Sequence, residues 1–282
     1  MVITIKQALS QAQRLRAVSE SWRLESEILL ADALKSNREA LFAWPAQELS
    51  RQQADAYQHM MQRRERGEPI AYITGKQAFW DFELKVNPQV LIPRPETELL
   101  VETAIKFLEP NSSAALRLVD LGTGSGAIAL ALARHSKHWR VTAVDISPQA
   151  LALAAENARL LQVENIEFCE ASWCDGLDAR AYDLVAANPP YVAVGDRHLQ
   201  QGDLRFEPPI ALAAKDSGLS HLQEIVKSCR QVLKKEAWLL LEHGFDQKLA
   251  VANLLRDAGY SNISCAQDLA GLDRLTSAQW PD

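Results

Sequence analysis

The stretch that most narrows what this chain can fold into runs from Leu118 to Leu130. Leu118-Val119-Asp120-Leu121 reads as a strand, Gly122-Thr123-Gly124-Ser125-Gly126 as a tight turn, and Ala127-Ile128-Ala129-Leu130 as the start of a helix with no polar face. A strand and a helix this apolar must both be buried, which a sheet covered by helices on both faces provides. From Asn111 onward the same alternation of strand and helix repeats. The pattern predicts strands at Arg117–Leu121, Arg140–Ile146, Ile166–Ala171, Asp183–Ala187 and Ala237–Glu242, with Ile263–Gln267 and Leu272–Ala278 completing seven. Helices are expected near Pro148–Gln162, His221–Lys235 and Gln247–Ala258. The expected class is α/β, with a mostly parallel, doubly wound sheet.

The first 70 or so residues read differently. Trp22, Ile28, Leu29, Ala33 and Leu34 recur at helical spacing, and Ser50 is placed to cap a helix from about Arg51 to Arg66 before Gly67 ends it. Residues 1–70 are therefore expected to form a small helical bundle. Short β-prone pieces follow at Ala71–Thr74, Phe79–Val86 and Val90–Ile92, so residues 71–95 are expected to be a β-hairpin linker. Pro93-Arg94-Pro95-Glu96-Thr97-Glu98 stiffens the entry to a helix from about Glu96 to Leu108, which opens the larger domain of residues 96–282.

Composition excludes some classes of function. With 48% hydrophobic and 23% charged residues in 282, neither disorder nor a fibrous repeat describes the chain. No apolar run approaches the roughly 20 residues that span a bilayer, and Lys6, Gln7, Arg14 and Arg16 interrupt the N-terminal segment. A cytoplasmic home is the expectation. The formal charge of −6 gives no global field that attracts nucleic acid. Cys169, Cys174, Cys229 and Cys265 lack paired spacing and are expected to be reduced. None of His59, His135, His138, His198, His221 and His243 stands at metal-ligand spacing, so no metal is expected.

The turn is Gly-x-Gly-x-Gly, not the Gly-x-Gly-x-x-Gly that opens onto a dinucleotide pyrophosphate. The next strand ends in Asp145, 23 residues after Gly122, where a doubly wound sheet offers an acid to a ribose diol. A helix cap ahead of Ser147-Pro148 is the plainer task for the same side chain. Together they favour a nucleoside without phosphates, and S-adenosylmethionine is such a ligand. Trp173, just after the third strand, is a candidate wall for its adenine.

Asp183-Leu184-Val185-Ala186-Ala187 runs straight into Asn188-Pro189-Pro190-Tyr191. Two prolines at the carboxyl end of a strand fix the backbone and donate no hydrogen bonds, which leaves nearby carbonyls available. Asn188 adds an acceptor. A planar NH2 group, from an amide or an exocyclic amine, fits between the Asn188 side chain and the Pro189 carbonyl, with Tyr191 against its flat face. Such a nitrogen is a poor nucleophile. It needs placement against an electrophilic methyl and acceptors for the charge that grows on it.

The chain resembles, along nearly its whole length, the glutamine-N5 methyltransferases that modify peptide chain release factors, the PrmC/HemK family. Besides the two motifs above, Arg66-Gly67-Glu68-Pro69, Leu91-Ile92-Pro93-Arg94-Pro95-Glu96-Thr97-Glu98 and Arg205-Phe206-Glu207-Pro208 are similar to that family. The resemblance implies a Rossmann-like class I methyltransferase domain behind an N-terminal substrate-docking bundle. It implies that Gly122, Thr123, Gly124, Ser125, Gly126, Asp145, Trp173 and Asn188 contact S-adenosylmethionine, which leaves as S-adenosylhomocysteine. It assigns Asn188, Pro189, Pro190 and Tyr191 to the glutamine of the release factor's Gly-Gly-Gln tip, with Asn188, Pro189 and Tyr191 in the catalytic role. A monomer acting on that protein, with no direct nucleic acid partner, is expected. One rival is an amino-methyltransferase acting on adenine or cytosine in nucleic acid, whose acceptor has the same geometry. Another is a silent scaffold. Ala213-Ala214 departs from the glycines expected there. Arg63, Arg64 and Arg66 read as a solvated face or a docking patch, and Glu207 and Asp216 as solvated residues or groups facing the acceptor.

Overall fold

The computed structural model describes residues 3–111, 113–200 and 202–281, with nothing said of the side chains of Asn111 and His198. It comprises two compact units, Met1–Lys76 with Gln200–Phe206, and Gln77–Leu199 with Glu207–Asp282.

The first unit is helical: α1 (Ile5–Ser10), α2 (Trp22–Leu34), α3 (Arg38–Ala43), α4 (Arg51–Glu65) and α5 (Ile70–Thr74). Ser50 caps α4 through a reciprocal box with Gln53, and Thr4 does the same for α1 with Gln7. Ile5, Leu15, Leu29, Leu30, Tyr57 and Met61 fill the interior. The buried Tyr57 hydroxyl is satisfied by Ser26 Oγ at 2.7 Å. The expectation of a β-prone piece at Ala71–Thr74 is corrected, because these residues are the body of α5. Pro69 presets the entry, Tyr72 N and Ile73 N both bond the Pro69 carbonyl at 3.0 Å, and Ala71, Tyr72 and Ile73 are buried. Two of the three clustered arginines are bound internally. Arg63 pairs with Glu68 at 2.8 Å, and Arg64, buried, binds Glu25 at 2.8 Å and Asp203 at 3.0 Å. Arg205 donates to the Arg66 carbonyl at 2.7 Å. These bonds explain why residues 200–206 group with the helices.

The second unit begins within β1 (Lys76–Phe79), which forms a two-stranded sheet with β2 (Phe82–Lys85), and α6 (Glu98–Leu108) follows a 3-10 turn at Pro95–Thr97. Then come β3 (Arg117–Leu121), α7 (Ala127–His135), β4 (Arg140–Asp145), α8 (Pro148–Leu160), β5 (Ile166–Glu170) and β6 (Tyr182–Ala187). Short β7 (Val192–Ala193) and β8 (Ala213–Ala214) pair in parallel. The helix Ser220–Val232, β9 (Leu233–Glu242), the helix Lys248–Asp257, β10 (Ser261–Gln267) and β11 (Asp273–Gln279) complete the unit. The large sheet has seven strands in the order β10-β11-β9-β6-β3-β4-β5, parallel from β9 to β5 and antiparallel on both sides of β11.

Side-chain alternation sorts the sheet's apolar residues onto two faces. Leu118, Leu184 and Leu240 join α6 and α7 in one core, while Val119, Val185, Leu239 and Leu241 join the helix Ser220–Val232 in the other. One boundary moved substantially. The helix expected to reach Lys235 stops at Val232, because buried Leu233 already pairs with Tyr182 of β6. Glu236, at φ 61°, then marks a bulge in β9 before the ladder with β6 resumes at Trp238. Ala213-Ala214 needs no glycine, because both residues are in an extended strand.

The chain runs from β3 outward to β4 and β5, then returns to place β6 on the other side of β3. Loops leaving β3 and β6 therefore diverge at their carboxyl ends. A ligand crevice belongs at that switch point.

Candidate active site

Leu121 pairs with both Val144 and Ala187 at the ends of their strands, so Gly122, Asp145 and Asn188 emerge side by side. The glycine turn is held by two backbone bonds, from Gly122 N at 2.8 Å and Thr123 N at 2.9 Å to the Val144 carbonyl. Gly126, at φ 88°, starts α7 in a left-handed conformation, and a Cβ there would lie 3.0 Å from Leu130 and 3.2 Å from Ala154. Gly124, at φ 55°, has nothing within 4 Å of its Cβ position. The first position is closed by packing and the second open towards a ligand.

Asp145 is fixed by the same turn. Gly124 N donates to Oδ2 at 2.9 Å and Ser147 N to Oδ1 at 2.9 Å. It does not cap α8. Ser147 does, accepting from Ala150 N at 3.2 Å with Pro148 at the first helical position. The alternative task is thus filled by a neighbour.

A cavity of about 220 Å³ lies against these strand ends. Gly122, Gly124, Asp145, Trp173, Asn188 and Pro190 all line it. Of the other sequence candidates, Thr123 and Ser125 turn away. The Thr123 hydroxyl donates to buried Asp120 at 2.7 Å, and the Ser125 carbonyl accepts from Asn157 at 2.9 Å. Pro189 is buried, and Tyr191 packs into the second core; neither lines the cavity. The Tyr191 hydroxyl points to Glu242 Oε1 at 3.2 Å. Burial, foremost, pushes that phenol above the usual tyrosine range. Gln247 Nε2 holds the Tyr191 carbonyl at 3.1 Å.

Trp173, at φ 49°, is anchored by its indole N–H, which donates to Glu224 at 2.8 Å. Val90, Val144, Ile146, Ala150 and Ile210 add apolar surface. The charged lining is Asp145 and Glu224, and no Lys or Arg is among the lining residues. Such a chamber repels phosphates and accepts a hydroxylated, cationic nucleoside, so S-adenosylmethionine fits it.

Asn188 donates from Nδ2 to Thr97 Oγ1 at 3.0 Å. Among the described residues no donor takes its Oδ1 or the Pro189 carbonyl. Asn188 Oδ1 is thereby left without a donor at the cavity, and the carbonyl of the next residue, Pro189, is without one too.

Several residues escaped the sequence reading. Asp120, fully buried beneath the glycine turn, is pushed up to about 7 by burial despite bonds from Thr123 and Ala129 N. Glu242 ends β9, and burial raises it to about 7 as well. The rule that ligands gather at strand carboxyl ends, applied to β9, would have flagged it. Glu207 is neither solvated nor facing an acceptor: its buried carboxylate binds Arg94 and accepts from Ile92 N at 3.0 Å. Asp216 is exposed. Among the described residues no cluster of His, Cys, Asp or Glu is arranged to hold a metal ion, and no helix is long and apolar enough to cross a membrane. The four thiols are free, with Cys174 and Cys229 buried and 3.6 Å apart.

A seven-stranded sheet of this order, with a glycine turn and an acid at its switch point, defines the class I methyltransferase fold. Residues 96–203 match the methyltransferase small domain, and residues 7–75 match the PrmC N-terminal domain. A solved methyltransferase from Pyrococcus furiosus shares the fold at 15% identity and a TM-score of 0.52, covering 79% of this chain and 99% of its own. The release factor glutamine methyltransferase of Shewanella oneidensis is 43% identical, over 98% of this chain and 96% of its own. That of Coxiella burnetii is 44% identical, over 99% of each. The chain belongs to the release factor glutamine methyltransferase family.

Proposed function

We propose that this protein moves a methyl group from S-adenosylmethionine to the side-chain amide nitrogen of the glutamine in a release factor's Gly-Gly-Gln motif. The observation that carries the proposal is the convergence of Asn188 and Pro190 with Gly122, Gly124 and Asp145 on one cavity. S-adenosylmethionine supplies a methyl on a sulfonium sulfur and departs as S-adenosylhomocysteine.

In this proposal Asp145 takes the ribose hydroxyls, Trp173 walls the adenine, and the Gly122–Gly126 turn carries the amino-acid end. Thr123 and Ser125 act through the backbone of that turn. Asn188 Oδ1 and the Pro189 carbonyl accept the two N–H groups of the glutamine and aim its nitrogen lone pair at the methyl carbon. As the N–C bond forms and the S–C bond breaks, positive charge grows on nitrogen, and the two oxygens stabilise it. The alkylated nitrogen is acidic and gives its proton to water. Pro190 shapes the wall, and Tyr191 fixes the motif from behind. The helical unit docks the protein substrate, and the enzyme works as a monomer in the cytoplasm. The charge of −6 supports a protein acceptor over nucleic acid.

Methyl-labelled cofactor offered with release factor, DNA and RNA tests the function. Label is expected on release factor, at the motif glutamine by mass spectrometry, and label confined to nucleic acid overturns the assignment. A second result concerns the donor. Charged hydrogen bonds contribute about 1.5–3 kcal/mol each, so Asp145→Ala is expected to weaken S-adenosylmethionine binding tenfold or more. An unchanged dissociation constant by calorimetry removes Asp145 from the site.

A further inference from the structure

In the Pro93-Arg94-Pro95-Glu96-Thr97-Glu98 run, the polar side chains have different partners. Arg94 binds Glu207, and Glu98 accepts from Trp80 N at 2.9 Å in the turn between β1 and β2. Thr97, 4% exposed, faces the catalytic loop. Its Oγ1 receives the Asn188 amide N–H at 3.0 Å, and the Glu242 carboxylate stands beside the same hydroxyl. The Tyr191 hydroxyl reaches the same carboxylate at 3.2 Å. Glu242 is 1% exposed, and its Oε2 has no partner among the described residues.

Resting on the glutamine-directed transfer proposed above, we infer that Glu242 and Thr97 are positioning residues that fix which end of the Asn188 amide faces the acceptor. A hydroxyl has one proton, and an ionised carboxylate only accepts. Thr97 already turns a lone pair to Asn188, and the acceptor standing nearest to its proton is the Glu242 carboxylate, whose Oε2 has no other partner among the described residues. The amide must answer with N–H, which leaves Oδ1 for the incoming glutamine. A flipped amide would set its NH2 against the glutamine NH2, with no acceptor between them. Asn188 itself has no means of choosing, because its two ends are nearly the same shape. The choice is made two bonds away.

The relay also has a pH at which it reverses. Around Glu242 stand Thr97 and Glu96 from the turn before α6, Tyr191 after β6, and Arg274 on β11. Burial is the largest influence and holds the carboxyl near 7; Thr97, Tyr191 and Arg274 pull it down and Glu96 pushes it up. Neighbouring His243 is occupied elsewhere, with Thr276 Oγ1 and the Gly244 carbonyl each at 2.8 Å. Once protonated, Glu242 can donate to Thr97, which then offers its proton to Asn188 and draws Oδ1 away from the substrate. Turnover is present above this value and is lost as pH falls through it.

The test measures kcat and KM for release factor from about pH 5.5 to 8.5, with cofactor affinity and circular dichroism as checks on folding. Thr97→Val, which keeps the shape without the hydroxyl, is expected to lower kcat at least tenfold at the alkaline end. Its KM and cofactor dissociation constant should stay within about threefold of wild type, and Thr97→Ser should recover kcat to within about threefold. Wild-type kcat should rise through about pH 7, as the Glu242 value requires, and Glu242→Gln should be flat across the range. Full kcat in Thr97→Val, equal loss in Thr97→Ser, or an acid limb unchanged in Glu242→Gln overturns the inference. Asp120, which is raised to the same region, predicts that last outcome. Failure of the function itself looks different: wild-type protein then labels no release factor at any pH, and both proposals fall.

Discussion

Asn188→Ala is expected to lower kcat by roughly 10²–10³-fold, the usual loss when one group aimed at developing charge is removed. The substitution deletes Oδ1, the side-chain oxygen left without a donor at the cavity, while the Pro189 carbonyl stays in place. A glutamine held by one bond instead of two still binds but samples many directions, and few of them align its lone pair with the methyl carbon. The loss should therefore fall on kcat. Cofactor affinity should stay within about threefold, since in this assignment most donor contacts come from Asp145, Trp173 and the glycine turn. The check is single-turnover labelling of release factor beside a calorimetric dissociation constant for the cofactor. A variant that keeps wild-type turnover would show that a scaffold, or some other acceptor group, explains the motif. Asn188→Asp adds a second reading of the same site. It keeps two acceptor oxygens but has no N–H for Thr97, so recovery is expected to be poor.

That outcome turns on a contact between residues 97 and 188, and it marks the limit of what the chain discloses when read in order. The glycine turn was legible because its whole meaning is local: strand, turn and helix follow within thirteen residues from Leu118 to Leu130. Asp145 was legible because the doubly wound sheet fixes where the next strand ends. The Asn188-Pro189-Pro190-Tyr191 turn was legible because its prolines constrain the backbone directly. Thr97 and Glu242 carry no such local mark. One sits in a 3-10 turn and the other ends a strand of ten residues, and only the pairing of β9 with β6 brings Glu242 to Tyr191. Charge alone misled at Glu207 and Arg64, which look solvated in sequence yet are buried and paired. At Ala71–Thr74, β-prone composition lost to a proline cap and to burial on a helix.

Arg94→Ala is expected to destabilise the protein by about 3 kcal/mol, near the low end for removing one partner of a buried ion pair. The low end applies because the Arg94 side chain is 30% exposed, whereas that of Glu207 is 0% exposed. The variant leaves a carboxylate enclosed with the Ile92 N–H but without its guanidinium. Urea denaturation should move to a lower midpoint at an unchanged slope. Binding should suffer as well, because Glu207 joins two segments that wall the cavity: Gln89, Val90 and Leu91 stand on the Arg94 side, Ile210 and Ala211 on its own. With that clasp open, the cofactor meets a wall it must first order, and its apparent affinity falls by the fraction of molecules already closed. The stabilisation that saturating cofactor gives to wild type should accordingly shrink in the variant at equal ligand concentration. Arg94→Lys keeps the charge but not the planar fork and should fall between the two. An Arg94→Ala protein as stable as wild type would mean that Glu207 is satisfied by its other neighbours. A destabilised variant with an unaltered cofactor increment would confine the ion pair to folding and separate it from the cavity walls.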